Sequence, residues 1–255
     1  MVNVSKLSVI IIAKNEANSI ASCIKSVQAI NPHEVIVVDD NSSDETALIA
    51  RSLGATVFIH PKNNFAEARN FGLHTARGEW VFYIDADEQA SPELVVETKQ
   101  VVNQTKIQYQ AYRLRRVNYY LGVRWPTDEK IIRLFYKPNL DGWQGEVHES
   151  PRVTGKVSEL SGALNHFTHR NLTEMVQNTL VWSEIEAKLR FDLHHPPISW
   201  WRLPRVMLPT FFDYYLRQGG WKIGTVGLIE SLYQAFSIFI TYSRLWEMQQ
   251  LDKER

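Results

Sequence analysis

Residues 81–93 read VFYIDADEQASPE, an apolar run that turns acidic, with Asp85 and Asp87 one residue apart and Glu88 next. A second acidic pair, Asp39-Asp40, closes the apolar run VIVV. Carboxylates gathered at strand ends suit a hard divalent cation, Mg²⁺ or Mn²⁺, which takes oxygen ligands and bridges to phosphate oxygens. An Asp-x-Asp thus supplies a diphosphate with a counter-charge by way of a cation. The other reading of the same residues is a polar strand end, with Asp87 or Glu88 helping to cap the next helix. Loops that cradle phosphate directly are missing from the sequence. No G-x-G-x-x-G follows the first strand, and G-x-x-x-x-G-K-[ST] occurs nowhere.

The elements that must carry these acids alternate. LSVIIIA (7–13), EVIVV (34–38), ATVFIH (55–60) and EWVFYI (79–84) read as strands, separated by helical patterns such as Ile20, Ile24 and Val27 on one face. This is the pattern of a parallel α/β sheet covered on both faces. Ser42 or Ser43 can cap the second helix, and Ser91-Pro92-Glu93 opens a later one. In an open parallel sheet ligands bind beyond the carboxyl ends of the strands, so both acidic pairs belong on one rim. YQAYRLRRV and KIIRLFYK extend the strand pattern, GWQGEVHESP is turn-rich, and Asn171 with Glu174 forms a capping box for a helix to about Phe191.

The 255 residues carry 28 Lys plus Arg and 28 Asp plus Glu, so nothing in the net charge points to a nucleic-acid partner. One cysteine, Cys23, excludes an intramolecular disulfide and a cysteine-rich zinc site. The opening segment reads as a strand and not a signal peptide, which makes the cytoplasm the expected compartment.

SVIIIAKNE (8–16), VIVVDDNSSDET (35–46), AEARNFGLHTARGEW (66–80) and VFYIDADE (81–88), in this order, resemble the family-two inverting glycosyltransferases of the GT-A fold. Looser matches, RLFYK (133–137), GEVHE (145–149), LNHF (164–167) and YYLRQGGWKIGTVGL (214–228), are similar to a subgroup related to lipopolysaccharide-core glucosyltransferases. The resemblance implies a nucleotide-diphosphate sugar donor, UDP-linked in the first instance, a divalent cation, and a glycan or lipid-linked acceptor of the cell envelope. It implies that Asp40 accepts from the nucleotide base, that the main chain near Ala13 lines the same pocket, and that Glu16 approaches the ribose. Asp85 would contact ribose or metal, Asp87 would be the chief protein ligand of the cation, and Arg69 would lie near the diphosphate or organise the acids. An ion pair of Arg69 with Asp39 or Asp85 is the alternative.

Inversion needs a base for the acceptor hydroxyl, and Glu149 is the candidate, with His148 as competitor. Neighbours on an extended segment face opposite ways, so only one of them faces the sugar, unless both lie in a surface turn. A late histidine often joins the Asp-x-Asp in such enzymes, which makes His166 a metal-ligand candidate and His169 a weaker one. Tyr119, Tyr120, Trp125 and Trp143 suit either a sugar platform or a core.

Two domains are expected, a catalytic one at 1–193 and an aromatic, basic helical region at 194–255. HHPPISWWRLPRVMLP shows no clean period, whereas GTVGLIESLYQAFSIFITYSRLWEMQQ is helical, with Glu230, Gln234, Ser237, Thr241 and Arg244 on one stripe. That region suits an interfacial helix or a helical hairpin, and either peripheral contact with the inner face of the cell membrane or a homo-oligomer interface. Competing functions are a nucleotidyltransferase, which wants a glycine-rich basic loop that AKNEANS does not supply, and a non-catalytic carbohydrate-binding scaffold.

Overall fold

The computed structural model describes residues 6–61, 64–145 and 149–253. All seven residues of Leu7–Ala13 (β1) are buried, as a strand covered on both faces requires. After α1 (Ile20–Gln28) come β2 (Glu34–Asp39), α2 (Thr46–Ser52), β3 (Thr56–Ile59), α3 (Phe65–Thr75) and β4 (Trp80–Asp85). β2 and β4 flank β1, both parallel to it, and β3 lies parallel outside β2. Alternation along the strands divides the core in two. Val9, Ile11, Val37, Phe82 and Ile84 pack with Ile20, Ile24 and Val27 of α1. Ile10, Ile12, Ile36, Val38 and Tyr83 pack with Ala68 and Leu73 of α3. Each such aliphatic side chain removed from water contributes about 1.5–3 kcal/mol.

The chain then adds β5 (Glu88–Ala90), α4 (Pro92–Val102), β6 (Ala111–Tyr120), β7 (Val123–Arg124), β8 (Glu129–Tyr136), β9 (Leu140–Gln144), β10 (Ser150–Val153) and β11 (Val157–Thr168). The sheet continues past β4 through β8, β6 and β11 to β5, and β10 pairs with β9 as a hairpin. Ser91 caps α4, its Oγ accepting the Leu94 N–H at 3.2 Å, as the sequence predicts. Ser42 and Ser43 do not cap α2, whose N-cap residue is Glu45 with no side-chain hydrogen bond. Ser42 is drawn away by the Asp39 carboxylate, which accepts from its hydroxyl and its N–H.

The chain divides into two compact units, Met1–Val117 with Glu129–His166, and Asn118–Asp128 with Phe167–Arg255. The first has the architecture expected of a GT-A domain, a mixed sheet between helices in which β3, β2, β1 and β4 run parallel and the strands beyond β4 add antiparallel. The boundary expected at 193/194 falls inside the second unit, because α5 (Leu172–Asp192) packs along the last helix. The second unit also holds α6 (Arg202–Phe212) and α7 (Gly224–Lys253). The stretch without a sequence period becomes helical at Arg202. Pro204 sits in the first turn of α6, where a missing N–H leaves no bond unmade, and a π turn over Asp213–Arg217 follows. α7 is one continuous helix, not a hairpin, and is long and apolar enough by length and composition to cross a bilayer.

Candidate active site

Strand register brings the acids to one rim. Ala13 is level with Asp39 across β1 and β2, and Ile12 is level with Asp85 across β1 and β4. Asp40 follows directly, its N–H donating to the Ala13 carbonyl at 2.9 Å. Asp40 is buried and its carboxylate accepts from Lys14 Nζ at 2.9 Å. Main-chain contact at Ala13 therefore joins the two loops that follow β1 and β2. Those loops are tied further: Asn15 N–H donates to Ser42 Oγ at 2.8 Å, Ser43 N–H to Asn15 Oδ1 at 2.8 Å, and Glu16 N–H to Thr46 Oγ1 at 2.7 Å. The Glu16 carboxylate accepts from the Ser19 hydroxyl ahead of α1, so within the protein its partner is a helix entry.

Asp85 is held by two arginines. Arg69 Nη2 donates to one oxygen at 2.9 Å, and Arg133 Nη2 to the other at 2.6 Å. Arg69 also donates from Nε to Glu149 Oε1 at 3.0 Å, joining residues 80 apart in sequence. Arg69 is buried on α3, its guanidinium 4.9 Å from the Trp143 ring centre. Of the two partners expected for it, Asp85 is the one found; Asp39 is occupied by Ser42. Each arginine also keeps one buried group, Nη1, with no hydrogen-bond partner among the described residues. Burial pushes the Asp85 pKa up, but the Arg133 and Arg69 charges outweigh it and hold the carboxyl far below the usual carboxylate range. Arg133 and Arg69 thus keep Asp85 ionised.

Asp87 lies in the tight turn between β4 and β5. His166 reaches it from β11, which pairs antiparallel with β5 so that His166 stands opposite Glu88. Gly162 permits this approach, since a Cβ there would lie 2.3 Å from the Leu94 nitrogen of α4. His166 Nε2 is 3.1 Å from Asp87 Oδ2. Burial pulls the His166 pKa down, but the hydrogen bond to Asp87 and the charges of Asp87 and Glu88 leave it raised. Glu88 is fully buried; burial first, then the Asp85 charge, push its pKa up. Its carboxylate accepts the Asp85 N–H at 2.9 Å, and Arg116 lies 3.8 Å away. Burial and the same acids push the Cys23 thiol up, and the thiol donates to the Asp85 carbonyl at 3.4 Å.

The residues fit a divalent cation as a two-ligand site. Among the described residues no group of three His, Cys, Asp or Glu converges on one point. Asp87 and His166 are in contact, and a Mg²⁺ or Mn²⁺ with one or two protein ligands completes its shell from phosphate oxygens and water. Asp85 is a poorer ligand than the sequence suggests, because both its oxygens are engaged by arginine.

The remaining candidates scatter. Trp143 is buried against Tyr83 and Phe135, ring centres 5.0 and 5.8 Å away, so it is core and not a sugar platform. Trp125 is buried in the second unit, its Nε1 donating to Gln218 at 3.1 Å. Tyr120 stacks on His169, whose Nδ1 lies 2.9 Å from Glu230, and Tyr119 stacks on Phe167. His148 lies outside the described residues. Sequence reasoning passed over Arg133 and Arg116; their signal was a basic residue amid an apolar alternation, RLRRV and IIRLF, where a charge needs a buried partner.

The model of Glycosyl transferase family 2 matches residues 8–154, and the chain belongs to that family. An uncharacterised glycosyltransferase of Rickettsia prowazekii is 30% identical over 259 residues, covering 95% of this chain and 87% of its own. The lipopolysaccharide core biosynthesis glycosyltransferase LpsC of Rhizobium meliloti is 26% identical, covering 96% and 93%. Among solved structures, S. aureus TarS 1–349 in complex with UDP-GlcNAc aligns over 96% of this chain and 92% of its own, with 13% identity and a TM-score of 0.49.

Proposed function

We propose that the protein transfers a sugar from a nucleotide-diphosphate donor, UDP-linked in the first instance, to a hydroxyl of a cell-envelope glycan or lipid-linked acceptor, with inversion. The observation that carries this reading is the pair of arginines about Asp85, each with a buried Nη1 that lacks an acceptor among the described residues. A buried donor without an acceptor is costly, and a diphosphate at the rim would supply oxygens to both. Asp85 orients the two guanidiniums, Asp40 with the main chain near Ala13 would receive the base, and Glu16 would approach the ribose.

Asp87 and His166 would hold the cation, which when bound offsets the charge of the departing diphosphate. Glu149 would accept the proton of the acceptor hydroxyl. Arg69 fixes its carboxylate 3.0 Å away, so the base and the donor-binding arginine form one connected unit. The name of the Rhizobium relative favours an envelope glycan as acceptor. Such an acceptor places the enzyme at the inner face of the cell membrane, in peripheral contact with lipid.

Calorimetry with UDP tests the donor site. UDP should bind with Mn²⁺ present and bind at least about tenfold more weakly without it, and Asp87→Ala should remove that dependence while the thermal transition stays cooperative. Metal-independent binding in the wild type would overturn the cation assignment, and a preference for the triphosphate would favour nucleotidyl transfer.

A further inference from the structure

The helices of the second unit have their polarity reversed. On α5 the buried stripe is Met175, Thr179, Ser183 and Ala187, while Leu172, Val176 and Leu180 are exposed. On α7 Glu230, Ser231 and Thr241 are buried, while Leu228, Leu232 and Phe236 are exposed at four-residue steps. α6 has no buried residue, and Leu208, Phe212 and the following Leu216 continue an exposed stripe. The inward polar groups are satisfied internally. Glu230 meets His169 and Gln234, the Thr179 hydroxyl donates to Tyr233, and Tyr233 donates to the Met175 carbonyl. Of the 22 exposed large apolar side chains among the described residues, only Leu48, Ile59, Val96 and Val157 belong to the first unit. A surface so apolar is unusual for a water-facing bundle, whereas small and polar residues inside with aliphatic ones outside is the arrangement lipid selects.

Charge says which lipid. Between Pro196 and Ile223 stand Arg202, Arg205, Arg217 and Lys222 against one acid, Asp213, which pairs with Arg217. Arg202 and Arg205 pair with no carboxylate among the described residues; both guanidiniums lie 5.5 Å from the Trp201 ring centre. Together with Trp201, Val206 and Tyr242 they line a cavity of about 270 Å³ between α6 and α7. Lys222 lies over the exposed Trp221. Two unneutralised arginines in a cavity walled by aromatic rings match an anionic group whose other end is apolar.

Resting on the membrane contact proposed above, we infer that the apolar exterior of this unit seats in an anionic bilayer surface and that the Trp201–Arg202–Arg205–Tyr242 cavity binds a lipid phosphate. The attachment is non-covalent, and it gives the enzyme a lipid-headgroup site separate from the strand-end rim.

Flotation of the full chain with vesicles tests both parts. Phosphatidylcholine vesicles are compared with vesicles of equal parts phosphatidylcholine and phosphatidylglycerol. The wild type should float with the anionic vesicles, and the double variant Arg202→Gln, Arg205→Gln should bind them roughly thirtyfold more weakly. The double variant Leu208→Ser, Phe212→Ser, on exposed positions, should weaken binding to both vesicles. Donor binding measured calorimetrically should stay unchanged in both variants, which separates failure here from failure of the transferase reading. Undiminished flotation of the arginine variant would overturn the phosphate cavity. Displacement of the wild type from anionic vesicles by millimolar inorganic phosphate, at matched ionic strength, would assign the cavity to free phosphate instead. Absence of flotation, with dimers by light scattering that Leu208→Ser, Phe212→Ser dissociates, would assign the apolar face to a second copy of this chain.

Discussion

The two units solve the burial of charge in opposite ways. In the first, strands and helices bury aliphatic side chains, and the buried charge gathers about the end of β4, where Asp85, Glu88 and Glu149 share Arg69, Arg133 and Arg116. In the second, Glu230, Thr179 and Ser183 are drawn inward and aliphatic residues remain outside. An ion cluster at a sheet rim remains open at its edge, so a ligand can complete it. An internal polar stripe is already complete and does no more than hold helices together. The position of a buried carboxylate therefore separates a reactive role from a structural one.

The same substitution in each unit sharpens the contrast. Glu149→Gln removes the proposed base and keeps its shape, so the transfer rate should fall by about 10²–10⁴ with donor binding retained. Steady-state kinetics beside calorimetry measures both, and an unchanged rate would move the base elsewhere. Next in size is Asp85→Asn, which leaves two buried guanidiniums short of a carboxylate and should cost about 3 kcal/mol in denaturant unfolding. Its pH dependence has a definite sign. The folded pKa of Asp85 lies below its unfolded value, so its stabilisation is present above about pH 4 and declines as pH falls toward the depressed value. The difference between wild type and variant should accordingly narrow on acidification below pH 4 or so; a constant difference would deny the pairing. The smallest effect is expected of Glu230→Gln. An amide can keep the hydrogen bonds to His169 and Gln234, so the loss should be about 1 kcal/mol with the transfer rate unaffected. A large fall in transfer would break the comparison by giving the second unit a part in the chemistry.

Much of the first unit was legible in the chain. Continuous apolar runs and Ser91-Pro92 there, like the Asn171–Glu174 box of the second unit, act through local physics, and the strand, helix and cap they predict are present. Short elements were not legible: β5 has three residues, too few for a period, and exists because β11 pairs with it. α6 was hidden by its prolines, one of which stands harmlessly in a first turn. At the site, Asp85, Arg69 and Glu149 could each be singled out by type, but their common junction could not, and Arg133 was missed because strand alternation gives no hint of which charge a buried arginine will meet.

The sequence by itself determined which residues are apolar, where strands stop, and that acids follow two of those stops, because alternation, caps and turns depend on neighbours a few residues apart. Tertiary structure alone decided that Arg69 and Arg133 would both claim Asp85, that His166 would arrive beside Asp87, and that Glu230 would face inward. Such pairings join distant segments, and register and helix packing, not local propensity, choose which charges leave water together.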